Sequence, residues 1–179
     1  LWDALNEAVE SWNLLAQEKL APVETGHRVV VFDTSALMEN PELLQELRSN
    51  DIPIVPHRVL SELDGLKTCE DESRSAKART AIRQLDANSS RIRHEKDHTA
   101  LLPAEWDARE SDHAILSTAL FFRLNAVLFV SNDINLRNKA KSLGLNTQDS
   151  KSYASSRLVP AAASEAHVQI KNKQKNKRR

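Results

Sequence analysis

The chain has 179 residues, 40% of them hydrophobic, and its 25 Lys and Arg residues balance 25 Asp and Glu residues, as expected for one globular domain with tails. A single cysteine, Cys69, excludes an intrachain disulfide and a cysteine-based structural zinc site, and fits a reducing compartment. Without a signal-peptide pattern or an apolar run near the roughly 20 residues of a membrane helix, the sequence predicts an intracellular protein of the cytoplasm or nucleus that binds no membrane.

The first half of the chain alternates helical and strand patterns. Residues 3–20 carry apolar side chains at near-helical spacing, which predicts a leading helix that Trp2 and Trp12 pack onto the body. Residues 28–32 form a short apolar run rich in β-branched side chains, typical of a strand buried on both faces. The pattern then predicts a helix over 42–49, a strand over 52–55, a helix over 57–66 and a mobile polar loop over 67–75.

The second half repeats this alternation and then changes character. It predicts a helix over 74–85, a polar stretch without clear period to Trp106, a helix with Ser111 as its N-cap, a strand over 126–130 and a helix over 135–143. Strands that alternate with helices favour a parallel sheet covered on both faces. The predicted organisation is a leading helix and linker over 1–25, a central domain over 26–150 and a flexible basic tail over 151–179.

Four acids fall where such a sheet would bring them to one edge. Asp33 follows the first apolar strand directly, and Asp133 follows the last one after two intervening residues. Glu62 lies in the helix after the middle strand, and Asp112 lies in the first turn of the helix that precedes the last strand. Clustered carboxylates repel one another unless a cation compensates them, and oxygen ligands suit Mg²⁺ or Mn²⁺. The pattern therefore predicts a metal site that could activate a water and stabilise a phosphate.

Four segments around these acids resemble, in order, the four motifs of PIN domains. They are residues 31–37 (VFDTSAL), 59–66 (VLSELDGL), 112–116 (DHAIL) and 131–140 (SNDINLRNKA). Their residues are similar to those in the branch that includes the endonuclease of nonsense-mediated decay and the PIN domains fused to bacterial PhoH-like ATPases. The resemblance covers residues 28 to 150.

The resemblance implies a three-layer α/β/α sandwich and an endoribonuclease that hydrolyses phosphodiester bonds of single-stranded RNA with Mg²⁺ or Mn²⁺. It implies that the metal-site and catalytic carboxylates are those of Asp33, Glu62, Asp112 and Asp133. Ser35 and Ser131 would orient these carboxylates by hydrogen bonds. Relatives often carry further acids where this chain has His113 and Asn132, and fewer acids would weaken metal affinity.

Basic residues are the candidate RNA contacts. Arg137 and Lys139 follow the last acid on a helix and could meet phosphates. Residues 171–179 contain six basic residues and no acid, which leaves 19 basic against 25 acidic residues, or about −6, for the rest of the chain. The tail could capture RNA, direct nuclear import or have no role, and RNA capture ranks first because an acidic body repels a polyanion. The six basic residues within 171–179 are Lys171, Lys173, Lys175, Lys177, Arg178 and Arg179.

Other interpretations remain open at this point. Asp33 and Asp133 taken singly would be helix caps, Glu62 a solvated residue, and His113 a structural one. The main alternative function is a catalytically silent PIN-like module that binds RNA or a protein partner within a larger RNA-processing factor. A toxin ribonuclease and a DNA flap nuclease are less favoured. The sequence begins at Leu1 rather than Met, as expected of a domain excised from a longer protein.

Overall fold

The computed structural model describes residues 2–24 and 26–156. The strands are β1 (Arg28–Phe32), β2 (Asp51–Pro56), β3 (Arg93–Glu95), β4 (Ala126–Val130) and β5 (Asn146–Gln148). The α-helices are α1 (Trp2–Leu20), α2 (Thr34–Glu39), α3 (His57–Leu66), α4 (Glu72–Ala87), α5 (Ser111–Phe121), α6 (Ile134–Ser142) and α7 (Ser150–Ser155). Two short 3₁₀ helices, Pro41–Gln45 and Thr99–Leu101, complete the set of described elements.

The five strands form one parallel sheet in the order β3-β2-β1-β4-β5. In the register of the central strands, Val30 lies beside Pro53 on one side and beside Leu128 on the other. Helices connect the parallel strands and flank the sheet, so the predicted α/β fold with a central parallel sheet is confirmed.

The core is centred on β1 and β4, whose apolar runs made them the clearest strands in the sequence. Four of the five residues in each of these strands are buried, and Phe32 and Phe129 are fully enclosed. A strand in the middle of a parallel sheet meets helices on both faces, which explains its continuous apolar run. Because β3 pairs only with Ile54–Pro56, Pro53 lies where β2 has one neighbouring strand, and its missing N–H is tolerated there.

Several short elements differ from the sequence pattern. The helix predicted over 42–49 is reduced to the 3₁₀ helix Pro41–Gln45. A helix that was not predicted, α2, starts directly after β1 and is capped by Asp33. The edge strands β3 and β5 were not predicted, because their sequences, RHE and NTQ, are too short and polar for apolar periodicity to identify them. The loop predicted over 67–75 is shorter, because Asp71 caps α4 and the helix starts at Glu72.

Both ends of the described chain correct an expectation. The leading helix is present as α1, but Trp2 and Trp12 are 76% and 67% exposed, so neither tryptophan packs the helix onto the body. The predicted tail starts at residue 151, yet residues 151–155 belong to α7, whose Tyr153 is fully buried. Residues 157–179, which include the six basic residues within 171–179, lie outside the described residues.

Among the residues that the structure describes, no helix is both long enough and apolar enough to cross a membrane.

Candidate active site

A cavity of about 520 Å³ opens at the edge of the sheet where the strands end, and all four predicted acids line it. Asp33 comes from the end of β1 and Asp133 from the turn after β4, as expected for neighbouring parallel strands. Glu62 reaches the cavity from α3 and Asp112 from the first turn of α5. The structure therefore brings together four carboxylates that lie up to 100 residues apart in the chain.

Asp33 is the buried member of this group, with only 4% of its surface exposed. Its Oδ2 atom accepts hydrogen bonds from the hydroxyls of Ser35 (2.5 Å) and Ser131 (2.8 Å), and from the Ser35 backbone N–H at the start of α2 (3.3 Å). Burial raises the pKa of the Asp33 carboxyl, the two serine hydroxyls lower it, and the charge of Glu62 raises it, with a net pKa above the usual range. No ion pair to Asp33 occurs within residues 2–24 and 26–156.

Ser35 and Ser131 both donate hydrogen bonds to Asp33 and link two turns at the edge of the sheet. The Ser35 hydroxyl donates to Asp33 and accepts the backbone N–H groups of Asn132 (2.9 Å) and Asp133 (3.3 Å). Ser131 Oγ also accepts the Asp133 N–H, at 3.1 Å. These bonds join the turn after β4 to the turn after β1. The two serines thus hold both the Asp33 carboxylate and the backbone that carries Asp133.

Glu62 is held from two sides by hydroxyl groups. Thr34, the residue after Asp33, donates to Oε2, and Ser111 donates to Oε1. The sequence predicted Ser111 as the N-cap of α5, but the N-cap is Glu110 and Ser111 is the first residue of the helix. The Ser111 hydroxyl is directed instead to Glu62, so α3, α2 and α5 meet at this carboxylate.

The other two acids are already engaged by the protein. Asp112 Oδ2 lies 3.3 Å from the Lys139 ammonium, which is also 3.6 Å from Glu110. Asp133 caps α6, and its Oδ1 accepts the backbone N–H groups of Asn135 (2.7 Å) and Leu136 (3.0 Å). The capping interpretation of Asp133 is therefore correct, and the same residue lines the cavity.

His113 and Asn132, which stand where relatives often have acids, make structural contacts. His113 Nδ1 lies 2.8 Å from the carbonyl oxygen of Asp107, and its ring packs 4.5 Å from that of Trp106. Asn132 Oδ1 accepts the backbone N–H of Ser150 at 2.9 Å and so fixes the start of α7. Trp106 itself packs against the core.

The predicted RNA contacts on α6 have partners within the chain. Arg137 donates to the carbonyl oxygen of Ser131 at 2.6 Å, and Lys139 bridges Glu110 and Asp112. Thr34, Ser111 and Arg74, which line or border the cavity, were also not identified as site residues from the sequence. The adjacency of Thr34 and Ser111 to motif acids was a usable signal, whereas nothing in the sequence pointed to Arg74.

The chemistry of the donor atoms limits the kind of metal ion that could bind in this cavity. The acids offer only oxygen atoms, and no group of three or more His, Cys, Asp or Glu side chains within the described part of the chain is arranged to hold a metal ion. However, Asp33 is a buried carboxylate next to Glu62 without a basic partner, which suits a small hard cation. Because Mg²⁺ commonly binds through one or two carboxylates and retains several waters, Asp33 and Glu62 fit such an ion.

Comparison with known proteins identifies the family of the chain. Residues 30–151 match the family described as PIN domain. Protein PhoH2 of Thermobispora bispora is 30% identical over 148 residues, which are 72% of this chain and 32% of the relative, so the chain spans about a third of that protein.

Among solved structures, a PilT N-terminus domain protein of Sulfolobus solfataricus has a TM-score of 0.46 and 20% identity over 73% of this chain and 93% of its own. The PIN domain of human SMG5 has a TM-score of 0.46 and 22% identity over 72% of this chain and 97% of its own. The family match covers more than half of the sequence and includes all four motif acids, and the chain belongs to the PIN domain family.

Proposed function

We propose that the chain is a divalent-metal-dependent endoribonuclease that hydrolyses phosphodiester bonds of single-stranded RNA. One observation carries the proposal: Asp33, a buried carboxylate with no basic partner among the described residues, faces a cavity that three further acids line. A buried charge of this kind destabilises the fold unless a cation offsets it. Membership of a family whose members are generally nucleases supports the same conclusion.

In this proposal Asp33 and Glu62 hold Mg²⁺ or Mn²⁺, and Asp112 and Asp133 contribute carboxylates on the walls of the same cavity. When bound, such an ion lowers the pKa of a water molecule and neutralises charge on a phosphate oxygen. The hydroxyls of Ser35 and Ser131 fix the Asp33 carboxylate, and those of Thr34 and Ser111 fix both oxygens of Glu62. Because these donors restrain the acids in advance, little reorganisation is needed when substrate arrives.

The basic tail provides the first contact with RNA in this proposal. The rest of the chain carries about −6, and six basic residues within 171–179 would offset its repulsion of a polyanion. Arg137 and Lys139 contribute less, because both already have partners within the chain.

A second function is favoured by one specific feature, the ion pair between Lys139 and Asp112. The ammonium already neutralises one of the four acids, and Asp133 uses one oxygen as a helix cap. Together these contacts would suit a catalytically silent PIN domain that binds RNA or a protein partner within an RNA-processing factor.

Metal-dependent stabilisation and cleavage separate the two functions. We expect Mn²⁺ to raise the melting temperature of the wild type, because a ligand that binds only the native state stabilises it. We also expect the wild type to cut an unstructured RNA, but neither a DNA of the same sequence nor the corresponding RNA duplex. Asp33→Asn keeps the shape of the side chain, and we expect it to abolish the Mn²⁺ effect and to slow cleavage more than about 100-fold.

Asp86→Asn is the matched control, because Asp86 is an exposed acid that does not line the cavity. Its Mn²⁺ response and cleavage rate should equal those of the wild type. Full activity in Asp33→Asn would refute the site. A wild type that neither responds to Mn²⁺ nor cuts RNA would establish the silent module instead.

A further inference from the structure

One basic side chain lines the acidic cavity. Arg74 belongs to the first turn of α4, which packs against α2 and α3, and it is the one basic residue among the described residues that line this space. Its backbone N–H donates to Oδ1 of the N-cap Asp71 at 3.0 Å, so its position in the helix is fixed at the backbone. The cavity therefore contains one cationic group besides its four acids.

The guanidinium of Arg74 is available to a ligand. It is exposed, and within residues 2–24 and 26–156 no hydrogen bond or ion pair of its side chain is present. The basic residues of α6 differ, because Arg137 donates to the Ser131 carbonyl and Lys139 pairs with Asp112 and Glu110. An arginine beside four carboxylates that forms no ion pair with any of them can meet an incoming anion.

We propose that Arg74 binds a phosphate of the RNA strand and so admits a polyanion to an otherwise acidic cavity. The inference rests on the proposed function, since it names the residue that would bind substrate at the same site. A guanidinium can donate two parallel hydrogen bonds to a phosphate, which fixes the orientation of the strand as well as its position. Arg74 is thus a substrate-binding residue, distinct from the carboxylates.

RNA binding in EDTA tests this role without any need for cleavage. For a short fluorescent single-stranded RNA at low salt, Arg74→Gln should raise the Kd roughly tenfold through loss of one charged contact. The slope of log Kd against log salt should fall by about 0.7, the contribution of one phosphate on a single strand. Arg74→Lys should give an intermediate Kd, because an ammonium keeps the charge but not the paired hydrogen bonds.

Arg83→Gln is the matched control, since Arg83 is an exposed arginine of the same helix that lies outside the cavity. Its Nε donates to the Arg79 carbonyl at 3.3 Å. Its Kd should stay within about twofold of the wild type. Melting temperatures should confirm that both variants fold. If Arg74→Gln and Arg83→Gln gave the same Kd and the same salt slope as the wild type, the proposal would be overturned.

Neutral methylphosphonate linkages identify the phosphate concerned. One substituted linkage should weaken binding by the wild type and have no effect on Arg74→Gln, because the contact can be lost only once. A linkage effect that is the same in both proteins at every position would also overturn the proposal.

The proposed function and this inference fail in different experiments. A wild type that binds RNA in EDTA but does not cut it with Mn²⁺ refutes the nuclease, and the binding data still decide the role of Arg74. A wild type without measurable RNA binding refutes the Arg74 contact.

Discussion

Two buried aspartates occupy opposite ends of the sheet and have different surroundings. Asp33 follows β1 at the edge where the strands end, and Asp51 opens β2 at the edge where they begin. They are 4% and 8% exposed. Asp51 accepts from Arg28 Nε (2.8 Å) and from a terminal guanidinium nitrogen of the same residue (2.7 Å), and also from the hydroxyl of Tyr153 (3.0 Å). The described partners of Asp33 are hydroxyl and backbone N–H groups.

The two aspartates differ in whether a cationic side chain compensates the buried charge. A carboxylate that loses its water must regain the lost solvation from partners, and an ion pair with several hydrogen bonds can supply it. At Asp51 the protein supplies a guanidinium, so the group joins β1, β2 and α7 and has a structural role. At Asp33 the described residues supply orientation without a compensating charge, and in the proposed function a bound metal ion supplies that charge. Two buried acids of similar exposure can therefore be assigned different roles according to whether a cationic side chain pairs with them.

The largest change in stability should come from removing the charge of Asp51, and the matched experiment removes the charge of Asp33. We expect Asp51→Asn to lower the free energy of unfolding by about 3 kcal/mol, because it leaves the Arg28 guanidinium without its charged partner. The expected loss is at the low end for a buried pair, since 24% of the Arg28 side chain is exposed. Chemical denaturation in EDTA measures this change.

Asp33→Asn is the matched variant at the other end. In EDTA its unfolding free energy should equal or exceed that of the wild type, because the amide removes a charge that is buried without a cation. Below its unfolding transition, Asp51→Asn should still cut RNA at the wild-type rate. Equal loss of stability in the two variants would contradict the distinction between the two ends.

A smaller effect should follow from loosening the Asp33 carboxylate. Ser131→Ala removes the hydroxyl that donates to Asp33 and accepts the backbone N–H of Asp133. We expect cleavage to slow by about 10- to 100-fold, the usual result when a group that orients a metal ligand is lost. A steady-state series over Mn²⁺ concentration should show part of this loss recovered at high metal.

Ser117→Ala is the control for this experiment. Ser117 is equally buried, donates to the Ala114 carbonyl at 2.6 Å and accepts the His98 backbone N–H at 2.9 Å, outside the cavity. Its variant should lose some stability and keep the wild-type cleavage rate per folded molecule. The same rate loss in both variants would mean that Ser131 acts through stability alone.

The smallest effect should come from Tyr153→Phe. Burial raises the pKa of the Tyr153 hydroxyl and the charge of Asp51 raises it further, so the group stays protonated and donates to Asp51. Loss of this hydrogen bond should lower the unfolding free energy by about 1 kcal/mol, with cleavage unchanged. An unchanged denaturation midpoint would show that the Arg28 guanidinium and the Arg48 backbone N–H satisfy Asp51 without the phenol.

Sequence patterns identified the helices and strands whose apolar side chains follow a clear period. The apolar runs of β1 and β4 and the helix His57–Leu66 were predicted within one residue, because burial on two faces or on one helical face leaves a clear period. Polar edge strands such as β3 and the short helix α7 have no such period. They form because a neighbouring strand, or the buried Asp51, offers them partners.

For the site, sequence placed Asp33 and Asp133 at one edge, because parallel strands end together. It also supplied Glu62 and Asp112 through the motif match, and the structure places all four acids around one cavity. Their roles in metal binding and catalysis stay predictions. Ser111 was misassigned as a cap, because its true partner, Glu62, is 49 residues away in the chain.

The sequence by itself determined the fold class, the order of the motifs and the residues that could bind a metal, since apolar periodicity and the positions of carboxylates can be read directly from it. Only the tertiary structure decided which charges are compensated. Arg28 meets Asp51 and Lys139 meets Asp112, whereas Asp33 meets no cation and Arg74 meets no anion among the described residues. Ion pairing depends on distances of a few ångströms between residues far apart in sequence, and packing alone sets those distances.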